Sequence, residues 1–252
     1  MRKIEIIELD ANLLADLEGA TQGWELHEVP ADDADGVWQV LWNAEYNRAG
    51  LVYVGNGSNG ATLWTDARVR SSVLGYFGHM WELYTMWVLV PLVLATRLQG
   101  TALSWAAFLV LGAGVIGCAG GGWVAQRWGS ARVAGTQLAI SGLCCLAAPW
   151  AIGAPGWWFF VWLVLWGITV SGDSPQFSTL TARNAPPQAV GSVLTLTNSI
   201  GFAISIVSIL LFVSLAEHVA LGQLLPWLAM GPVLGLWALW PLWREETGAA
   251  RA

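Results

Sequence analysis

The sequence predicts an all-α membrane protein, six transmembrane helices preceded by a small soluble α+β segment, and three observations carry that reading. The 252 residues are 56% hydrophobic and 11% charged, with a mean hydropathy of +0.55, far more apolar than a soluble domain. Residues 1–70 hold 12 of the 17 acidic and 5 of the 11 basic residues, a net of −7, which leaves 5 acidic and 6 basic, a net of +1, in residues 71–252. From residue 70 onward, apolar runs near the ~20 residues needed to cross a bilayer follow one another, separated by short charged or Pro/Gly breaks.

Residues 1–66 read as an acidic soluble segment. The opening MRKIEIIELD turns acidic after two basic residues and has no apolar stretch, so it is not a signal peptide and is expected to stay in the cytoplasm. A helix is expected at Ala11–Glu18, ended by Gly19, followed by short alternating runs at Val37–Trp42, Leu51–Val54 and Ala61–Trp64. The glycine-rich run Gly55–Gly60 lacks the lysine of a phosphate loop and reads as a hairpin turn. Asp32, Asp33 and Asp35 read as a solvated loop rather than a cation site.

The membrane domain is expected over residues 70–244, with a tail at 245–252. Its first span, Ser71–Thr96, carries one charged residue, Glu82, between Arg70 and Arg97. As a helix it reaches about 39 Å, more than the hydrocarbon core requires. Gly75, Gly78, His79 and Glu82 fall three and four apart on one face, which must look into a bundle or cavity, because a carboxylate facing lipid is costly. Five further spans are expected at Ala102–Ala125, Ala134–Ala151, Trp157–Leu180, Val190–Leu215 and Leu224–Trp243. Short connections make neighbours antiparallel. Arg68, Arg70, Arg127, Arg132, Arg183, Arg244 and Arg251 flank one side and Arg97 alone the other, which places both termini in the cytoplasm of a multi-pass plasma-membrane protein, taken as a bacterial inner-membrane one. Trp128, Trp150, Trp157, Trp158, Trp227 and Trp243 lie near span ends as interfacial belts.

Nothing in the chain pairs a nucleophile with a base, clusters metal ligands or forms a nucleotide motif, so no enzyme, cofactor, metal or nucleic-acid reading is drawn. Cys118, Cys144 and Cys145 lie in apolar runs as small packing residues. Gly114, Gly117, Cys118, Gly121 and Gly122 recur at helical spacing and let two backbones approach closely. In Val190–Leu215, Gly191, Thr195, Asn198, Ser205 and Ser208 make a polar stripe that either lines a pathway or bonds to a neighbouring helix. His79, one turn from Glu82, is read equally as a bonded structural partner or as a proton relay.

The run Gly122-Trp-Val-Ala-Gln-Arg127-Trp-Gly129-Ser-Ala-Arg132, in a short loop between two spans, resembles the signature loop of the major facilitator superfamily of transporters, with Gln126 in place of the usual acid. Gly75–Trp87 and Asp173–Ser208 also resemble segments of one bacterial branch of that superfamily. The resemblance covers about residues 70–243, the second six-helix half of a family whose members normally have twelve helices.

It implies two inverted three-helix repeats, in which the first and fourth spans are counterparts carrying Glu82 and Asp173. It further implies a permease, such as a symporter, moving a small solute with protons by alternating access, once paired with another six-helix half or a second copy. On that reading Glu82, His79, Asn198, Thr195 and Ser205 belong to the coupling and substrate pathway. Gly122, Arg127, Gly129, Arg132 and Asp173 form a cytoplasmic gate, with Asp173 pairing to Arg127 or Arg132; direct substrate contact is the alternative for Asp173. Pro175 is expected to bend the fourth helix. The competing reading is a truncated or fused transporter half that anchors the N-terminal segment without transporting.

Overall fold

A computed structural model of the chain describes residues 64–187 and 189–249, and in the N-terminal segment the backbones of four strands. These are β1 Lys3–Ile6, β2 Glu25–Glu28, β3 Val37–Asn43 and β4 Arg48–Val54. β1 pairs with β2 in parallel and β3 with β4 antiparallel, Val37 opposite Val54 and Asn43 opposite Arg48. Leu51–Val54 therefore pairs with the run that begins at Val37. Of the run expected at Ala61–Trp64, only Trp64 is described, and it is helical. The expected helix at 11–18, the acidic loop at 32–35 and the glycine run at 55–60 lie outside the described residues. Four short strands do not establish an α+β segment.

From residue 64 on, every regular element among the described residues is helical. The helices are α1 Ala67–Ala95, α2 Gly100–Gly112, α3 Gly114–Trp128, α4 Ser130–Ala151, α5 Gly156–Gly172, α6 Ser174–Asn184 and α7 Val190–Ala216. A short turn α8, Leu221–Leu224, leads through a 3-10 turn at Leu225–Ala229 into α9, Met230–Ala249. Five units are long and apolar enough to cross a membrane: Ala67–Ala95, Gly100–Trp128, Ser130–Ala151, Val190–Ala216 and Leu221–Gly248. The fourth expected span is interrupted at Asp173 into α5 and α6, of 17 and 11 residues. Pro175 is the reason, though not as a bend within one helix: it occupies the first turn of α6, where its missing N–H leaves no bond unmade. Asp173 O receives the Gln176 and Phe177 amides, both at 3.0 Å.

Helix α1 is the axis of the bundle. It packs against α9, α7, α6, α2 and α5, and 61% of its most apolar window is buried, against 22% for both Gly100–Trp128 and α7. It starts sharply because Asp66 caps it, accepting from the Arg68 and Val69 amides at 2.8 and 3.1 Å. Glycines set how near the neighbours come. A Cβ on Gly78 would strike the Gly231 carbonyl and the Gly235 backbone, and one on Gly117 the Ile168 carbonyl and the Gly172 Cα. These are the α1–α9 and α3–α5 seams. The bulky apolar side chains left outside, such as Phe108, Ile116, Leu210 and Val233, are exposed, as expected where the solvent is hydrocarbon.

The two ends of the bundle are tied by different chemistry. At one end Arg68 of α1 meets Glu245 of α9 at 2.6 Å, and Glu246 accepts from the Ala131 and Arg132 amides at the start of α4, at 3.2 and 3.0 Å. At the other, Arg97 donates from Nη2 to the Ile152 and Ala154 carbonyls, both at 2.6 Å, and lies 4.4 Å from the Phe159 ring centroid. The lone arginine of that end thus closes the C-terminus of α4, where a cation offsets unpaired carbonyls.

Candidate functional site

Midway along α1, Glu82 is fully buried. Its Oε1 accepts from Trp166 Nε1 of α5 at 2.6 Å and from Cys145 Sγ of α4 at 3.1 Å, and its Oε2 accepts from Ser141 Oγ at 2.9 Å. Ser141 and Cys145 reach the same carboxyl because they stand one turn apart on α4. Ser141 Oγ is also 3.0 Å from Leu138 O, and a hydroxyl has one proton and two acceptor sites. Facing a carboxylate, it donates to Oε2; facing a carboxylic acid, it accepts from Oε2 and donates to Leu138 O. The cradle therefore serves both protonation states.

One turn earlier, His79 turns to a different partner. Its Nδ1 stands 2.9 Å from Asp173 Oδ1, both side chains fully buried. The contact is within ion-pair distance, and neither His79 Nε2 nor Asp173 Oδ2 has a hydrogen-bond partner. The imidazole clusters with Tyr76 and Phe177, whose ring centroids are 5.8 and 6.0 Å from it and 6.5 Å from each other. The α5–α6 interruption is what brings Asp173 here: as the residue between two helices it faces α1. The expected pairing of Asp173 with Arg127 or Arg132 is not formed. Arg127 lies over Trp123 at 5.4 Å and Arg132 over Trp128 at 5.8 Å.

The loop after α3 is shaped by Gly129, whose φ of +89° favours glycine. A Cβ there would strike the Glu246 carboxylate. Glu246, which sequence reasoning did not single out, brings a carboxylate to this loop. Gly122 has open space around its Cβ position.

The polar stripe of α7 divides. Ser205 donates to Met80 O at 2.7 Å and Ser208 to Trp81 O at 2.6 Å, with Thr85 donating to Ser208 at 2.8 Å. These bond α7 to α1. Thr195 and Asn198 instead lie on the exposed side. Trp166, Ser141 and Cys145 were also missed by sequence reasoning; the available signal was that a buried Trp N–H seeks an acceptor. Among the described residues no His, Cys, Asp and Glu cluster could hold a metal, and the three cysteines are free thiols.

The described residues from 64 on form a helical bundle with five units long and apolar enough to cross a membrane and with ionisable groups enclosed inside it. Compared with protein families, characterised proteins and solved structures, the chain shows no match.

Proposed function

We propose that the chain is a proton-coupled secondary-transporter half of the major-facilitator type, moving a small solute across the bacterial plasma membrane with both termini in the cytoplasm. The observation that carries this reading is the Glu82 cradle, enclosed in a bundle of membrane-crossing helices and able to satisfy the carboxyl with or without its proton. Buried ionisable groups in membrane spans are expensive and mark proton and substrate routes. The His79–Asp173 pair supplies a second such group one turn away. The signature-like loop holding Arg127, Gly129 and Arg132 supports the family reading, as do the five units long and apolar enough to cross, with α5 and α6 read together as an interrupted sixth crossing. The exposed Thr195 and Asn198 on α7 are the face a second six-helix unit or a second copy would cover.

The test is uptake into proteoliposomes under an imposed pH gradient, screened over a panel of small solutes. Glutamine at position 82 keeps the size of the side chain, accepts from Trp166 and donates to Ser141, but does not titrate. Glu82→Gln is expected to abolish gradient-driven accumulation of the transported solute while leaving its exchange intact. Accumulation that survives the substitution would reduce Glu82 to a packing residue. Failure of every solute when the unaltered chain is reconstituted densely enough for a second copy to pair would favour the membrane-anchor reading, which the complete satisfaction of Glu82 by its three donors also accommodates.

A further inference from the structure

The seam between α1 and α9 carries a groove with two chemically distinct ends. At the end where α1 begins, a cavity of about 380 Å³ is lined by Arg68, Arg70, Ser71 and Glu245. A second cavity of about 320 Å³ continues it toward the middle of the bundle and is lined by Phe77, Trp81, Leu234 and other apolar residues. Leu74, Trp237 and Ala238 line both, so the two cavities adjoin along the helix surface. Its floor is low because Gly78 and Gly231 bring the two backbones together.

From Arg70 to Trp81 the groove follows roughly 16 Å of helix, close to half the ~30 Å hydrocarbon core, which is the depth of one leaflet. The charged end carries two arginines against one glutamate, with Arg68 already held by Glu245 at 2.6 Å. Arg70 is exposed and donates from Nη1 to the Trp64 carbonyl at 2.6 Å, a neutral partner, so among the residues lining the cavity one positive charge is left in excess. A charged end at interface depth and an apolar trough one leaflet long match the two halves of a phospholipid. We infer that this groove is a binding site for an anionic phospholipid, its phosphate at Arg70 and an acyl chain laid along α1 beside Trp237 and Leu234. The inference rests on the chain lying in a membrane and is independent of transport.

The full chain in detergent is titrated with phosphatidylglycerol and, separately, phosphatidylcholine, both with brominated acyl chains, and tryptophan quenching is followed. One arginine near an anionic headgroup contributes about 1 kcal/mol, so half-quenching is expected at about five-fold lower phosphatidylglycerol than phosphatidylcholine. Arg70→Gln is expected to erase that difference and Arg70→Lys to keep it. Ala238→Phe, which fills the junction of the two cavities, is expected to erase it without touching the charge. Equal quenching by the two lipids in the unaltered chain, or a preference that survives Arg70→Gln or Ala238→Phe, would overturn the site. Spontaneous crosslinking of a Leu234→Cys variant between copies would also overturn it, assigning the groove to a second chain.

Discussion

Gly117 offers the sharpest test of how the helices are held together. A Cβ at this position would stand 2.9 Å from the Ile168 carbonyl carbon and 3.2 Å from the Gly172 Cα, with the Ile168 oxygen nearer still. All three are backbone atoms, so no rotamer change relieves the clash, and α3 and α5 must move apart. Overpacking of this kind costs typically about 1–3 kcal/mol. Separation also loses dispersion contacts along the seam, the main attraction between helices in lipid. Gly120, one turn on, has nothing within 4 Å of its Cβ position, so alanine there should be neutral or slightly favourable through helix propensity. Thermal unfolding of the purified protein in detergent should show Gly117→Ala lowered by about 4–8 °C for a 2 kcal/mol loss, with Gly120→Ala unchanged or raised. Equal melting of the two variants would refute the close α3–α5 packing.

Glu246→Ala removes the carboxylate that caps α4 through the Ala131 and Arg132 amides, and is expected to cost about 0.5–2 kcal/mol, read as a lower unfolding temperature that Glu246→Asp partly restores. Reporter fusions after Ala154 and after Ala252 should report outside and inside respectively, from the seven-to-one arginine asymmetry; the same side for both would exclude an odd number of crossings between them. Replacing either partner of His79 and Asp173, 2.9 Å apart and fully buried, should destabilise by about 1–3 kcal/mol, because the remaining polar group is left unpaired in the interior. In the double variant His79→Gln/Asp173→Asn the loss should be smaller than the sum of the two single losses, and strict additivity would show that the pair does not interact.

What the sequence made legible was what depends on solvent and period. Apolar length marked the crossings, and the three- and four-residue spacing of Gly75, Gly78, His79 and Glu82 put them on the inward face of α1, where the structure buries all four. The glycines of α3 were read as packing residues; Gly114, Gly117 and Gly121 are buried against neighbours, while a Cβ on Gly122 would meet nothing. Contacts between spans were not legible, because periodicity says which face turns inward and not what it meets. Glu82 therefore gained its partners on α4 and α5 only from the structure, and His79, one turn away, proved to face Asp173. The Asp173 pairing was misjudged because the fourth span was read as one continuous helix. Pro175 instead starts a new helix, which leaves the aspartate at the break and turned toward α1. Glu246 was invisible for another reason: it acts at the α4 N-terminus, more than 110 residues away in sequence.

The claim that Glu82 exchanges a proton inside the bundle is tested most directly by infrared titration of the reconstituted protein. It follows the carbonyl band of protonated carboxyl groups in the unaltered chain, in Glu82→Gln and in Asp173→Asn, and needs no knowledge of the solute. The account predicts a carboxyl band that appears and disappears with pH, is absent in Glu82→Gln and persists in Asp173→Asn. A spectrum whose titrating bands are identical with and without Glu82 would contradict it.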